Sequence, residues 1–118
     1  MRRNKMKKRN IMTVFYPAMI SLIIGLLPVT VRAQDKVVWI DVRSEGEWNK
    51  GHLKNAVLIP YDKIYMKIHA VAKNKRQPIN LYSDFGRRAE IAQKTLEQMG
   101  YINVQNRGGY QQLRQTMP

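Results

Sequence analysis

Ile79-Asn80-Leu81-Tyr82-Ser83-Asp84-Phe85-Gly86-Arg87-Arg88-Ala89-Glu90 passes from an apolar strand-like run, through a short polar loop, into a helix. Pro78 marks the start of the strand over 79–82, and the helix is expected from Arg87 to Met99. Ile91, Ala92, Thr95, Leu96 and Met99 form its stripe, and Gly100 supplies a left-handed stop. A loop that turns directly from strand to helix aims successive backbone N–H groups at one point. The helix dipole adds partial positive charge there, and Arg87 and Arg88 add fixed charge. A small-anion pocket is therefore expected above Ser83, built by Asp84, Phe85, Gly86, Arg87 and Arg88. Asp84 opposes an anion unless its carboxylate faces solvent. Arginines in a first helical turn are unfavourable against the dipole, which argues against a purely structural reason for both. The plainer alternative is a pair of solvated arginines on a helix end.

Upstream of this stretch, Val37-Val38-Trp39-Ile40-Asp41-Val42 has too little polar alternation for a half-exposed strand and suits a parallel strand buried on both faces. Ser44 is placed to cap a helical turn through Glu47 and Trp48, closed by Gly51. A short strand over 56–59 stops at Pro60, and Asp62 is expected to cap a helix carrying Ile64, Ile68 and Val71 on one face. Downstream, 101–104 reads as the last strand, Gly108-Gly109 as a tight corner, and 110–116 as a closing helix. Strands separated by helices call for parallel pairing. The expected fold is a small doubly wound α/β domain, with a mainly parallel sheet and helices on both faces.

The first 33 residues read as a leader. Arg2, Arg3, Lys5, Lys7, Lys8 and Arg9 precede an apolar run over 11–27, and Val31-Arg32-Ala33 offers small residues for a cut after Ala33. The expected organisation is a signal peptide over 1–33 and one domain over 34–118, exported to the periplasm or an equivalent compartment. An uncleaved N-terminal anchor is the alternative. The whole chain carries +13, but the remaining 85 residues hold fourteen basic against eight acidic side chains, a net charge of +6. Most of the apparent nucleic-acid signal disappears, so no nucleic-acid partner and no stable membrane insertion after cleavage are expected. The chain has no cysteine, which removes thiol redox chemistry and cysteine-based metal sites. No cofactor and no metal are expected.

Trp39-Ile40-Asp41-Val42-Arg43, Glu47-Trp48 and Gly51-His52-Leu53-Lys54-Asn55-Ala56 together resemble the opening strings of the rhodanese family of sulfurtransferases. Tyr82 to Glu90 is similar to that family's active-site loop, and Met99-Gly100-Tyr101 and Gly108-Gly109-Tyr110 match its closing pieces. The likeness spans essentially the whole domain and is closest to single-domain exported members. It implies a rhodanese fold and structural roles for Asp41, Arg43, Glu47 and His52. Asn55 stands where the family usually has glycine, which requires a positive φ that asparagine tolerates. The four residues between Ser83 and Arg88 resemble the short loop of sulfur-transferring members rather than the longer loop of phosphatase relatives.

The departure is Ser83, where the family places its cysteine. A rhodanese thiolate attacks the sulfane sulfur of thiosulfate and holds it as a persulfide; a hydroxyl is a far weaker acid and cannot carry that group. The expectation is a rhodanese-like protein inactive in sulfur transfer that keeps an anion- or partner-binding loop, with thiosulfate or sulfate as the ligand class. One alternative is an active enzyme, through a Ser83 mechanism or with serine introduced for a native cysteine. Another is an envelope interaction protein with a vestigial pocket, whose basic surface touches acidic partners or anionic lipid. The protein partner is left open.

Overall fold

The computed structural model describes residues 36–117, so the leader reading of 1–33 lies outside the described residues. The elements are β1 (Val38–Asp41), α1 (Glu45–Asn49), β2 (Val57–Leu58), a 3-10 turn (Tyr61–Lys63), α2 (Ile64–Val71), β3 (Ile79–Ser83), α3 (Arg87–Gln98), β4 (Val104–Gly109) and α4 (Tyr110–Thr116). All four strands pair in parallel, in the order β2-β1-β3-β4. The chain runs outward from β1 to β2, then crosses back to β3 on the other side of β1. The switch point of the sheet therefore lies between β1 and β3, and the loops that leave Asp41 and Ser83 flank it. This is where open parallel sheets place their ligands.

Alternation along the strands sorts the core into two clusters. Ile40, Ile79 and Leu81 join Ile64 and Ile68 of α2 and Ala89, Ala92 and Leu96 of α3 on one face. Trp39 and Tyr82 face the other side and pack with Leu53 and with Tyr110 and Leu113 of α4. Because neighbouring strand residues point to opposite faces, a buried parallel strand must be apolar throughout, as β1 and β3 largely are. Helices cover both faces, as the doubly wound reading requires. Among the described residues no helix is long and apolar enough to cross a membrane.

Local signals held where they are chemical. Ser44 caps α1 in a full capping box: its Oγ accepts the Glu47 N–H, and the Glu47 carboxylate accepts the Ser44 N–H. Asn55 has φ 70° and Gly100 has φ 97°. Four expectations shift. The strand over 56–59 contracts to Val57–Leu58, and Asp62 sits inside the 3-10 turn without capping α2, because the chain enters that helix through Pro60 and Lys63. Ile91 is 45 % exposed, since the buried stripe of α3 runs through Ala89, Ala92 and Leu96, leaving Ile91 on the flank. The last strand begins at Val104 and extends to Gly109, so Gly108 and Gly109 close the strand. Tyr101 precedes it as a buried anchor whose hydroxyl donates to the Ala72 carbonyl at 2.6 Å.

Candidate functional site

Ser83 ends β3 and is 1 % exposed. Its Oγ accepts the N–H of Gly86 at 2.9 Å and the N–H of Ala89 at 3.3 Å. A helix leaves its first N–H groups without intrahelical acceptors. Here the hydroxyl satisfies two of them from a position below the helix start. The N–H groups of Arg87 and Arg88 have no acceptor among the described residues. The turn is possible because Gly86 adopts φ 94°, with its Cα packed so closely on Gly108 that a Cβ would stand 3.2 Å from the Gly108 Cα. The sequence expectation of convergent amides at Ser83 thus has a geometric counterpart.

The two loop arginines part company. Arg87 is exposed on the rim, beside the 85 % exposed Phe85. Arg88 turns toward α1 and grips Glu47 with two hydrogen bonds, Nη1 to Oε1 at 2.8 Å and Nη2 to Oε2 at 2.9 Å. Its charge is therefore compensated by a carboxylate, whereas Arg87 has no ion-pair partner among the described residues. The Arg88 hydrogen bonds, outweighing partial burial and assisted by the Ser44 N–H and hydroxyl, hold the Glu47 carboxyl down at about 2. Because the folded value lies below the unfolded one of about 4.3, the pair stabilises fully above that pH and loses its contribution as pH falls through about 2. Both side chains are about a third exposed, 30 % and 31 %, so solvent screening keeps the effect small. In acid titrations followed by thermal melting, wild type and Arg88→Ala are expected to differ at neutral pH and to converge near the bottom of that range. A gap that stays constant down to that pH would contradict the assignment.

Asp41 and Arg43 lie on the other side of the switch point, both buried. Arg43 donates from Nε at 3.0 Å and Nη2 at 2.7 Å to the Asp41 carboxylate, and Nη2 also reaches the Gly51 carbonyl at 2.7 Å. Its guanidinium lies 4.3 Å from the Tyr110 ring centroid and 5.7 Å from that of Tyr82. Burial opposes the charge on Arg43, but the hydrogen bond and charge of Asp41 outweigh it and raise its pKa. The Tyr82 hydroxyl, pushed up chiefly by burial, accepts the Leu53 N–H at 3.1 Å. These groups tie the loop after β1 to the chain around Gly51, as a structural role requires. Sequence reasoning did not find Tyr82 and Tyr110 as the walls of this ion pair; their aromatic character at the end of β3 and the start of α4 was the available signal.

His52 is exposed, stacked on Trp48 with ring centroids 3.4 Å apart, and its Nδ1 lies 3.0 Å from the Trp48 carbonyl. None of its hydrogen bonds reaches Ser83. The partners of the Ser83 oxygen are backbone amides, and among the described residues no imidazole or carboxylate is hydrogen-bonded to it. Asp84 is half-buried and lines a hollow of about 270 Å³ together with Arg43, Lys50, Gly51, Tyr110 and Arg114. Phe85, Gly86 and Arg87 line a second, wider hollow on the opposite flank, with Asn106, Arg107 and Gly108. No cluster of acidic and histidine side chains able to hold a metal occurs among the described residues.

The family model for the Rhodanese-like domain matches residues 30–116. The thiosulfate sulfurtransferase PspE of Escherichia coli (strain K12) is 32 % identical over 71 residues, which cover 60 % of this chain and 68 % of that protein. Among solved structures, a rhodanese with anions from E. coli superposes with a TM-score of 0.67 at 30 % identity, covering 70 % of this chain and 95 % of that one. A thiosulfate sulfurtransferase from Pseudomonas aeruginosa matches with a TM-score of 0.65 at 28 % identity, over 71 % of this chain and 16 % of that one. The switch-point loop, the four-stranded parallel sheet and a family match that covers every described element lead to one assignment: this chain belongs to the rhodanese-like domain family.

Proposed function

We propose that this rhodanese-like protein does not transfer sulfur and that its loop binds a small oxyanion such as thiosulfate or sulfate. The observation that carries the reading is the Ser83 oxygen, held by the Gly86 and Ala89 amides in a chain without a single cysteine. Sulfur transfer needs a nucleophile that can be displaced again as a stable anion, and a thiolate at such amides is one. Among the described residues a hydroxyl there has no hydrogen-bonded base to remove its proton, and an alkoxide is too poor a leaving group to release sulfur to an acceptor. Anion binding asks for less. The free amides of Arg87 and Arg88, the start of a twelve-residue helix, and the exposed Arg87 guanidinium together favour a small negative ligand. The anions in the E. coli relative's structure support the same ligand class here. The leader reading of 1–33 places this binding in an exported setting.

The solved E. coli rhodanese is covered to 95 % by the matching part of this chain, so the polypeptide 34–118 is a suitable sample. Incubated with thiosulfate and cyanide, it is expected to form no thiocyanate above buffer. Thiosulfate is expected to raise its melting temperature through binding to the native state, by about 2.7 kcal/mol of stability at a hundredfold excess over Kd. Arg87→Ala should reduce that rise. Turnover that vanishes in Ser83→Ala would overturn the inactive reading. A melting temperature indifferent to thiosulfate and sulfate, in wild type and Arg87→Ala alike, would overturn the binding reading in favour of a protein-interaction role.

A further inference from the structure

We infer that Asn106 is a positioning residue for the anion loop, acting across the sheet edge to hold Gly86 in the conformation that aims the amides at residue 83. The inference rests on the anion-binding reading for its functional consequence, and on geometry for the rest. Register between β3 and β4 slips at this point: Leu81 pairs with Asn106, but Ser83, two residues on, pairs with Gly109, three residues on. The extra residue is a bulge on β4, and Gly108 takes φ 91° within it. Asn106 itself keeps the regular register opposite Leu81, and the bend that follows it brings the Gly108 N–H back to its side chain.

Its amide spans two backbones. Nδ2 donates to the Gly86 carbonyl at 2.8 Å, and Oδ1 accepts the Gly108 N–H at 2.9 Å. The same Gly86 carbonyl accepts the Glu90 N–H at 3.0 Å, so it closes the first turn of α3 while being held from outside. A Cβ on Gly86 would press on the Gly108 Cα at 3.2 Å, and a Cβ on Gly109 would stand 2.6 Å from the Asp84 carbonyl. The bulge is thus shaped to the loop, and Asn106 is the side chain that joins them. Without it, the Gly86 peptide loses an anchor, and the amides that follow lose their common focus on residue 83. Asparagine is the residue type for this bridge, because it carries a donor and an acceptor on one short planar group.

Hydrogen exchange of individual amides, measured by NMR on 34–118, tests the inference. In wild type the Gly86 and Ala89 amides should be protected by the Ser83 oxygen. Asn106→Ala should speed exchange at both by about tenfold, the effect of one hydrogen bond of ordinary strength, while Ile40 and Leu81 amides in the core stay unchanged. Asn106→Asp separates the two halves of the bridge, since it keeps the acceptor for Gly108 and loses the donor to Gly86. It should speed Gly86 and Ala89 but leave the Gly108 amide protected. Thiosulfate affinity should fall by a similar factor in both variants. Unchanged exchange at Gly86 and Ala89 in both, or loss of protection spread evenly through the core, would overturn the role. If wild type itself fails to bind thiosulfate, the binding proposal falls, while the exchange pattern still decides for or against Asn106.

Discussion

Ser83→Cys is expected to give this domain sulfur transfer from thiosulfate to cyanide. The substitution replaces one oxygen by sulfur at a point where the Gly86 and Ala89 amides already converge. Those donors, with the start of α3 and the Arg87 charge, favour the thiolate over the thiol. The thiolate can attack the sulfane sulfur of thiosulfate, forming a new S–S bond while the old one breaks and sulfite departs with its electron pair. Cyanide then takes the outer sulfur as thiocyanate, and the thiolate returns. Thiocyanate formation and a variant one sulfur atom heavier by mass spectrometry after thiosulfate treatment are the two readouts. A Cys variant that folds normally, with Gly86 and Ala89 amides placed as in wild type, and yet forms neither product would show that the charges around the loop do not support a thiolate nucleophile.

Asp41→Ala should be the most damaging single change to stability. Its carboxylate is fully buried and takes three hydrogen-bond partners from Arg43, whose side chain is itself 5 % exposed. Removing it leaves a guanidinium between two tyrosine rings with the Gly51 carbonyl as its one remaining hydrogen-bond acceptor among the described residues. Breaking a buried pair in this way costs about 3–5 kcal/mol, against a total of about 5–15 kcal/mol for a typical domain, and a domain of this size belongs near the lower end. Urea denaturation should show a midpoint far below wild type, or no cooperative transition. The double variant Asp41→Ala with Arg43→Met should recover part of the loss, because it removes the stranded charge as well. A midpoint for Asp41→Ala close to wild type would mean that water or another carboxylate takes over the guanidinium.

Most of the sheet was legible because its signals are local. Apolar runs of strand length, the Ser44-to-Glu47 box, Asn55 and Gly100 each state their conformation through elementary sterics or hydrogen bonding. The last strand was misplaced because Gln105, Asn106 and Arg107 carry no apolar pattern; at the sheet edge the backbones of Gln105 and Asn106 pair with β3, and none of the three residues is buried. The loop as an amide cradle could be read from strand, glycine and helix in succession. The partners of its charges could not. Glu47 and Arg88 are 41 residues apart, and which of two adjacent arginines turns inward is decided by the position of α1, which only the folded chain specifies. Asn106 escaped notice for the same reason: its function is created by a register slip, and a slip leaves no mark in composition.

The bulge has a second effect, on the margins of the sheet. At one margin β2 offers two residues before Pro60, too short a ledge for a foreign strand to dock along. At the other, β4 is long enough to act as a template, but the kink at Gly108 breaks its line of outward-facing backbone groups, and Arg107 stands exposed beside the break. Intermolecular strand addition, the first step toward fibrils, therefore finds no straight run at either side. A domain without disulfide staples gains from this: when its core loosens, the two margins of its sheet are poor nuclei for self-association.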